Sequence, residues 1–167
     1  MVIGGPDTTV EIDETHFSKR KYNRGRELPE QWVFGGVCRE TKECFLYAVP
    51  RRNAETLTQC IKRSIRPGTT IISDLWKAYG GISLLDGYNY KHFTVNHSEN
   101  FVDPKTGANT QAVESMWHSL KMKKKRQGGI HRQMIDSYLC EFVWRKRIEK
   151  DQYFEQILLD ISNFDVK

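Results

Sequence analysis

A chain of 167 residues, 38% hydrophobic and 11% aromatic, has the composition of one folded domain; it is too short for two well-built cores and too apolar for a disordered chain. The 26 Lys and Arg against 21 Asp and Glu leave a net charge of +5, a balance that favours a polyanionic partner. No apolar run approaches the roughly 20 residues that span a bilayer, and no signal-peptide core opens the chain. Cys38, Cys44, Cys60 and Cys140 have neither zinc-site spacing nor the density of a disulfide scaffold. A soluble, intracellular domain with reduced, buried thiols and no membrane partner is expected.

Residues 9–17 alternate as a strand, with Val10 and Ile12 on one face and Glu11 and Asp13 on the other. The polar, basic run at residues 19–26 reads as a loop. Residues 32–38 and 44–49 are β-rich and flank a polar connection, so three antiparallel strands open the domain. Asn53 can cap a helix to about Ser64, with Leu57 and Ile61 on its apolar side, and Pro67-Gly68 ends it. Residues 69–73 predict a short buried strand tipped by Asp74, then a helical turn through Trp76 and Tyr79 to Gly80-Gly81. Another β-rich run covers 88–95. Asn109-Thr110 is a plausible N-cap for a helix over about 111–125. Past Gly128-Gly129, helices are expected over about 132–150 and 151–162, the second carrying Phe154, Ile157, Leu158 and Ile161. This order matches an RNase H-like α/β domain: a mixed sheet, antiparallel then parallel, flanked by helices.

Three carboxylates stand out against this layout. Asp13 lies in a strand, where Asp is disfavoured, with Glu11 and Glu14 as competitors. Asp74 closes a strand at the end where open α/β sheets bind ligands, although it could equally cap the next helix. Glu114 sits in the first turn of a helix, where an acid also simply complements the dipole, with Trp117 and Lys121 near its face. Oxygen ligands from separate elements suit Mg²⁺, with Mn²⁺ as substitute, and two such ions support in-line phosphodiester chemistry.

Two basic clusters follow the first and third acids: Lys19, Arg20, Lys21, Arg24 and Arg26, then Lys121, Lys123, Lys124, Lys125 and Arg126. Each reads either as a solvated face or as a phosphate contact. Tyr22 and Trp117 beside them could stack on unpaired bases. His92 and His97 lack partners at metal spacing, so hydrogen bonding or phosphate contact is expected of them.

The strings Ile3-Gly4-Gly5-Pro6, Val10-Glu11-Ile12-Asp13-Glu14, residues 19–26, Ser73-Asp74-Leu75-Trp76-Lys77-Ala78-Tyr79, residues 95–104 and Thr110-Gln111-Ala112-Val113-Glu114-Ser115-Met116-Trp117 together resemble Merlin-type transposases. These are relatives of bacterial insertion-sequence enzymes with an ISXO2-like transposase domain. The resemblance covers nearly the whole chain. It implies a divalent-metal triad of Asp13, Asp74 and Glu114, cut-and-paste transposition, and DNA as partner, both at transposon ends and at the target. It also implies a homodimer or higher oligomer on DNA, a nuclear location in a eukaryote or a cytoplasmic, nucleoid one in a bacterium, and a lysine after the third acid at Lys121. Some relatives carry His where this chain has Asn109. An N-terminal end-recognition segment is expected to be missing from these residues. Two rivals remain: a transposase-derived DNA-binding protein without catalysis, and an RNase H-like nuclease, for which Glu55 would be a further acid.

Overall fold

The computed structural model describes residues 1–17, 30–96, 102 and 107–164. The first basic cluster, Tyr22 and His97 lie outside the described residues. Strand β1 (Thr9–His16) pairs antiparallel with β2 (Trp32–Cys38), which pairs antiparallel with β3 (Cys44–Val49). Helix α1 (Ala54–Ser64) then crosses to β4 (Thr70–Asp74), parallel to β1, and β5 (Lys91–Val95) lies parallel to β4. The five-stranded order is β3-β2-β1-β4-β5, so β3 and β5 are edges. Helices α2 (Gln111–Arg126), α3 (Ile135–Lys146) and α4 (Tyr153–Ser162) complete the chain.

The alternation of β1 sorts its side chains between two cores. Val10 and Ile12 pack with Phe34, Ile71 and, from α1, Leu57 and Ile61. On the other face Val33, Val37 and Leu46 meet Val113, Met116 and Leu120 of α2 and Leu139 and Phe142 of α3. The sheet is therefore sandwiched, with α1 opposite α2 and α3. Among the described residues no helix is long and apolar enough to cross a membrane.

Several boundaries move. The strand expected from residue 88 starts at Lys91, because Gly87 and Asn89 take positive φ and Tyr90 donates its hydroxyl to the Ile65 carbonyl. The turn after Asp74 becomes two short 3₁₀ segments, Lys77–Tyr79 and Ile82–Leu84. The helix expected over 132–150 opens with a 3₁₀ turn, and its α-helical part stops at Lys146. Asn53 caps α1 as expected, its side-chain oxygen accepting from the Thr56 amide at 3.0 Å. Cys38 and Cys44 are buried free thiols, whereas Cys60 is half-buried and Cys140 is exposed, against the expectation that all four are buried.

Candidate active site

Within the β1–β4 pair Thr9 lies against Thr70, Val10 against Ile71 and Glu11 against Ile72. The same offset, carried two residues on, sets Asp13 level with Asp74 on one face of adjacent parallel strands. Asp74 ends its strand, and its Oδ1 accepts the Trp76 amide at 3.0 Å. The capping reading of Asp74 holds, and that turn engages only one of its carboxylate oxygens. Asp13 Oδ2 accepts the Trp117 indole N–H at 2.9 Å. Trp117 is accordingly buried against the sheet and does not present its ring for stacking on bases.

Trp117 reaches Asp13 because of a glycine. Gly35 faces Asp13 across β1–β2, and a β-carbon there would stand 2.8 Å from Trp117 Cη2, 2.6 Å from Leu46 and 2.9 Å from the Phe45 carbonyl. The carbonyl belongs to the backbone and cannot move aside. Gly35→Ala is expected to destabilise the fold by about 1–3 kcal/mol through overpacking and to loosen the Trp117–Asp13 bond. A fall in urea midpoint without a change in slope would register it.

The N-terminus of α2 is held from a distance. Thr110 makes no side-chain capping bond, contrary to the sequence expectation; its hydroxyl donates to Glu114 Oε1 at 3.1 Å, and Asn109 Oδ1 receives the Gln111 amide only at 3.4 Å. The cap is Glu11, whose Oε2 accepts the amides of Ala112 at 2.7 Å and Val113 at 3.0 Å. Its Oε1 receives Arg39 Nε at 2.6 Å, and Arg39 Nη2 donates to the Asn109 carbonyl at 2.7 Å. Glu11 is 1% exposed, so an acid weighed in the sequence only as a competitor of Asp13 bolts β1 to the helix that carries Glu114. The signal was present: Glu11 shares the strand face of Asp13, the face a helix must cover.

Glu14 points to the other side of β1, accepts the Tyr79 hydroxyl and pairs with Arg52 at 3.4 Å. Arg52 lies over both the Trp32 and Trp76 rings, 4.3 and 4.9 Å from their centroids. Burial, then repulsion from Glu14 and Asp74, pushes Asp13 up to about 7 against the pull of its hydrogen bonds; burial also raises Glu14, and the Asp74 charge adds to that. Tyr79 is pushed well above the usual phenol range by burial and by the Glu14 charge.

Among the described residues no three His, Cys, Asp or Glu side chains form a group able to hold a metal ion. Glu114 is exposed and bonded to Thr110, and the acids that crowd one another are Asp13, Glu14 and Asp74. Their chemistry nevertheless fits a hard cation: these are carboxylate oxygens whose mutual repulsion a divalent ion would relieve.

Lys121 is exposed and lines a hollow of about 440 Å³ with Glu14, Trp32 and Lys124. Lys125 and Arg126 are exposed too, but Lys123 pairs with Glu141 at 2.9 Å and Lys124 donates to the Phe17 carbonyl. Lys124 also lies 4.4 Å from the Phe17 ring centroid, and burial lowers its pKa. His92 meets Ser73 Oγ at 2.9 Å, a hydrogen bond as expected. Glu55, on α1, is exposed and, among the described residues, is part of no group of acids able to hold a metal ion.

A family model described as the ISXO2-like transposase domain matches residues 4–147. A Haemophilus influenzae protein, described as an uncharacterized transposase-like protein, is 27% identical over 105 residues, which are 62% of this chain and 81% of that one. Among solved structures, the catalytic core domain of BIV integrase aligns with TM-score 0.58 at 14% identity, covering 92% of this chain and 97% of that chain. The HTLV-2 integrase catalytic core domain in complex with magnesium, in its trimeric form, aligns with TM-score 0.50 at 16% identity, covering 83% and 84%. At such identities the likeness concerns the fold, which is RNase H-like, as the element order predicts.

Proposed function

We propose that this chain, which belongs to the ISXO2-like transposase domain family, is the catalytic domain of a DDE transposase. It would hydrolyse phosphodiesters at the ends of a mobile element and join the freed 3′-hydroxyl to target DNA, as in Merlin-type cut-and-paste transposition. The observation that carries this reading is the parallel register that sets Asp13 beside Asp74, with Asp13 held up to about 7 by burial and neighbouring acids. Strained carboxylates of this kind cluster where chemistry needs them.

In this reading Asp13, Asp74 and Glu114 would hold Mg²⁺, with Glu114 released from its Thr110 hydrogen bond. The HTLV-2 integrase core, a structural neighbour, is a magnesium complex, which supports the use of a divalent metal. Such ions, when bound, would supply activation of the attacking water or 3′-hydroxyl and stabilisation of the leaving oxygen. The protein's own part is orientation. Trp117 fixes the Asp13 carboxylate, the Glu11 bolt sets the position of α2, and Arg52 with Tyr79 holds Glu14 in place. Lys121, which lines the hollow with Glu14, would meet a phosphate.

The test is a strand-transfer assay with a labelled duplex and supercoiled plasmid in Mn²⁺, beside an EDTA control. Joined product would support the transposase, nicking without joining would favour a nuclease, and binding alone would favour a transposase-derived DNA-binding protein. Lys121→Ala is expected to weaken DNA binding and to reduce the slope of log affinity against log salt by about 1. An unchanged slope in a salt titration would remove Lys121 from the interface.

A further inference from the structure

Two arginines of this chain meet a carboxylate of β1, and they are used differently. Arg39, 28% exposed, makes two short bonds to its own fold, to Glu11 at 2.6 Å and to the Asn109 carbonyl at 2.7 Å. Arg52, 46% exposed, reaches Glu14 through Nη1 alone at 3.4 Å, beyond the roughly 2.7–2.9 Å of a charge-assisted bond. Its other N–H groups meet no acceptor among the described residues, and the second Glu14 oxygen already accepts the Tyr79 hydroxyl. What fixes Arg52 is aromatic: its Cζ lies 4.3 Å from the Trp32 ring centroid and 4.9 Å from that of Trp76. Trp32 opens β2 and Trp76 follows β4, the two neighbours of β1, so the guanidinium lies across the strand that carries Asp13 and Glu14. Stacking holds the guanidinium plane and leaves its N–H edge available to donate.

We propose that Arg52, which belongs to neither basic cluster, is a phosphate fork: its outer N–H edge donates to a backbone phosphate of the DNA strand that crosses this end of the sheet. The assignment rests on DNA being the substrate, as proposed above, and names a contact within that site. Glu14 is crowded by Asp13 and Asp74, so the cation that meets it borders the acids. Trp32, under the guanidinium, lines the 440 Å³ hollow together with Glu14 and Lys121. Arg52 directly precedes α1 and Lys121 belongs to α2, and these helices cover opposite faces of the sheet. The acidic end of the sheet therefore has a cation on either side, which suits a polyanion lying across it better than one small anion. A guanidinium matches phosphate oxygens two at a time, and the two indoles have already restricted its rotation, so little freedom is lost on binding. Glu14 competes for the inner edge. Neutralising it would free donors for the phosphate and remove a repulsive charge, whereas a role confined to steadying Glu14 demands the reverse.

Fluorescence anisotropy with a labelled DNA duplex in EDTA, across a salt series, tests this without metal or cleavage. Arg52→Ala is expected to weaken binding about tenfold or more and to lower the slope of log affinity against log salt by about 1. Arg51→Ala removes the same charge from the exposed neighbouring residue and should change affinity far less. Arg52→Lys keeps the charge but loses the fork, so it should keep the wild-type slope and bind several-fold more weakly. Glu14→Gln retains an oxygen for the Tyr79 hydroxyl and should bind DNA more tightly than wild type. Urea melts check that each variant is folded; should Arg52→Ala not fold, Arg52→Lys decides, and wild-type affinity in it would overturn the proposal. Equal losses in Arg52→Ala and Arg51→Ala would also overturn it. So would a Glu14→Gln protein that loses affinity as Arg52→Ala does, because Arg52 would then act only through Glu14. A wild-type chain that binds no DNA would overturn the fork together with the reading on which it rests, whereas these variant effects without cleavage in Mn²⁺ would uphold the fork and remove only the catalysis.

Discussion

Asp74→Asn is expected to reduce metal-dependent nicking by roughly 100- to 1,000-fold, the order seen when a preorganised electrostatic group is removed from an active site, while leaving the fold intact. The Asn side-chain oxygen can still accept the Trp76 amide, so the turn after β4 survives. Asp13→Asn should be equally inactive but should behave differently in stability. Asp13 has its folded-state pKa raised to about 7 from 3.8. Between about pH 4 and pH 7 the folded state keeps a proton that the unfolded state releases, so wild-type stability falls as pH rises through that window. Above it the penalty is complete, up to about 4 kcal/mol for some three pH units at 1.36 kcal/mol each. Asn cannot ionise. At pH 8 the variant should therefore melt several degrees above wild type, and near pH 4, where both forms are neutral, it should not. Mg²⁺ should raise the wild-type melting temperature at pH 8 and have little effect on the variant. Melts at the two pH values, with and without Mg²⁺, check this; equal stabilities at pH 8 would mean that Asp13 is an ordinary surface acid.

Propensity put Asp13 inside a strand and Asp74 at the tip of another, but only the register of the fold, in which they differ by the same offset as the paired Thr9 and Thr70, sets them level. Alternation in β1 assigned the faces correctly as well, because a period of two leaves no freedom once Val10 and Ile12 are buried. What sequence could not supply was long-range partnership. Asn109-Thr110 satisfies every local rule for an N-cap, yet a carboxylate about a hundred positions earlier in the chain does that work, and Trp117, with all the marks of a stacking platform, spends its N–H on Asp13. Lys123 and Lys124 looked identical to Lys125 in a basic run; the turn of α2 commits the first two to Glu141 and Phe17 and leaves the third in solvent. The apolar period of α4 was equally plain, but periodicity names a face without saying which molecule covers it.

Glu11→Ala should be the most damaging single substitution among the described acids. It would strand the Arg39 guanidinium and uncap the Ala112 and Val113 amides together. Removing one partner of a buried ion pair costs about 3–5 kcal/mol; Arg39 is 28% exposed and can find water, which favours the lower end. The reverse truncation, Arg39→Ala, should be milder, because Glu11 would keep two amide donors and the favourable end of the α2 dipole. Glu11→Gln separates structure from chemistry. Its amide oxygen can accept from the helix amides, but its NH₂ then faces the Arg39 guanidinium, so the bolt loosens without a cavity. Folded at 20 °C, this variant should nick DNA more slowly than wild type at saturating Mn²⁺, since α2 no longer holds Glu114 in a fixed relation to Asp13 on β1. Urea melts read the first effect and nicking rates the second. A Glu11→Ala protein within 1 kcal/mol of wild type would mean that the two cores alone fix α2 against the sheet. A Glu11→Gln protein with full activity would mean that the placement of Glu114 is set further along the helix, by Val113, Met116 and Leu120 in the core.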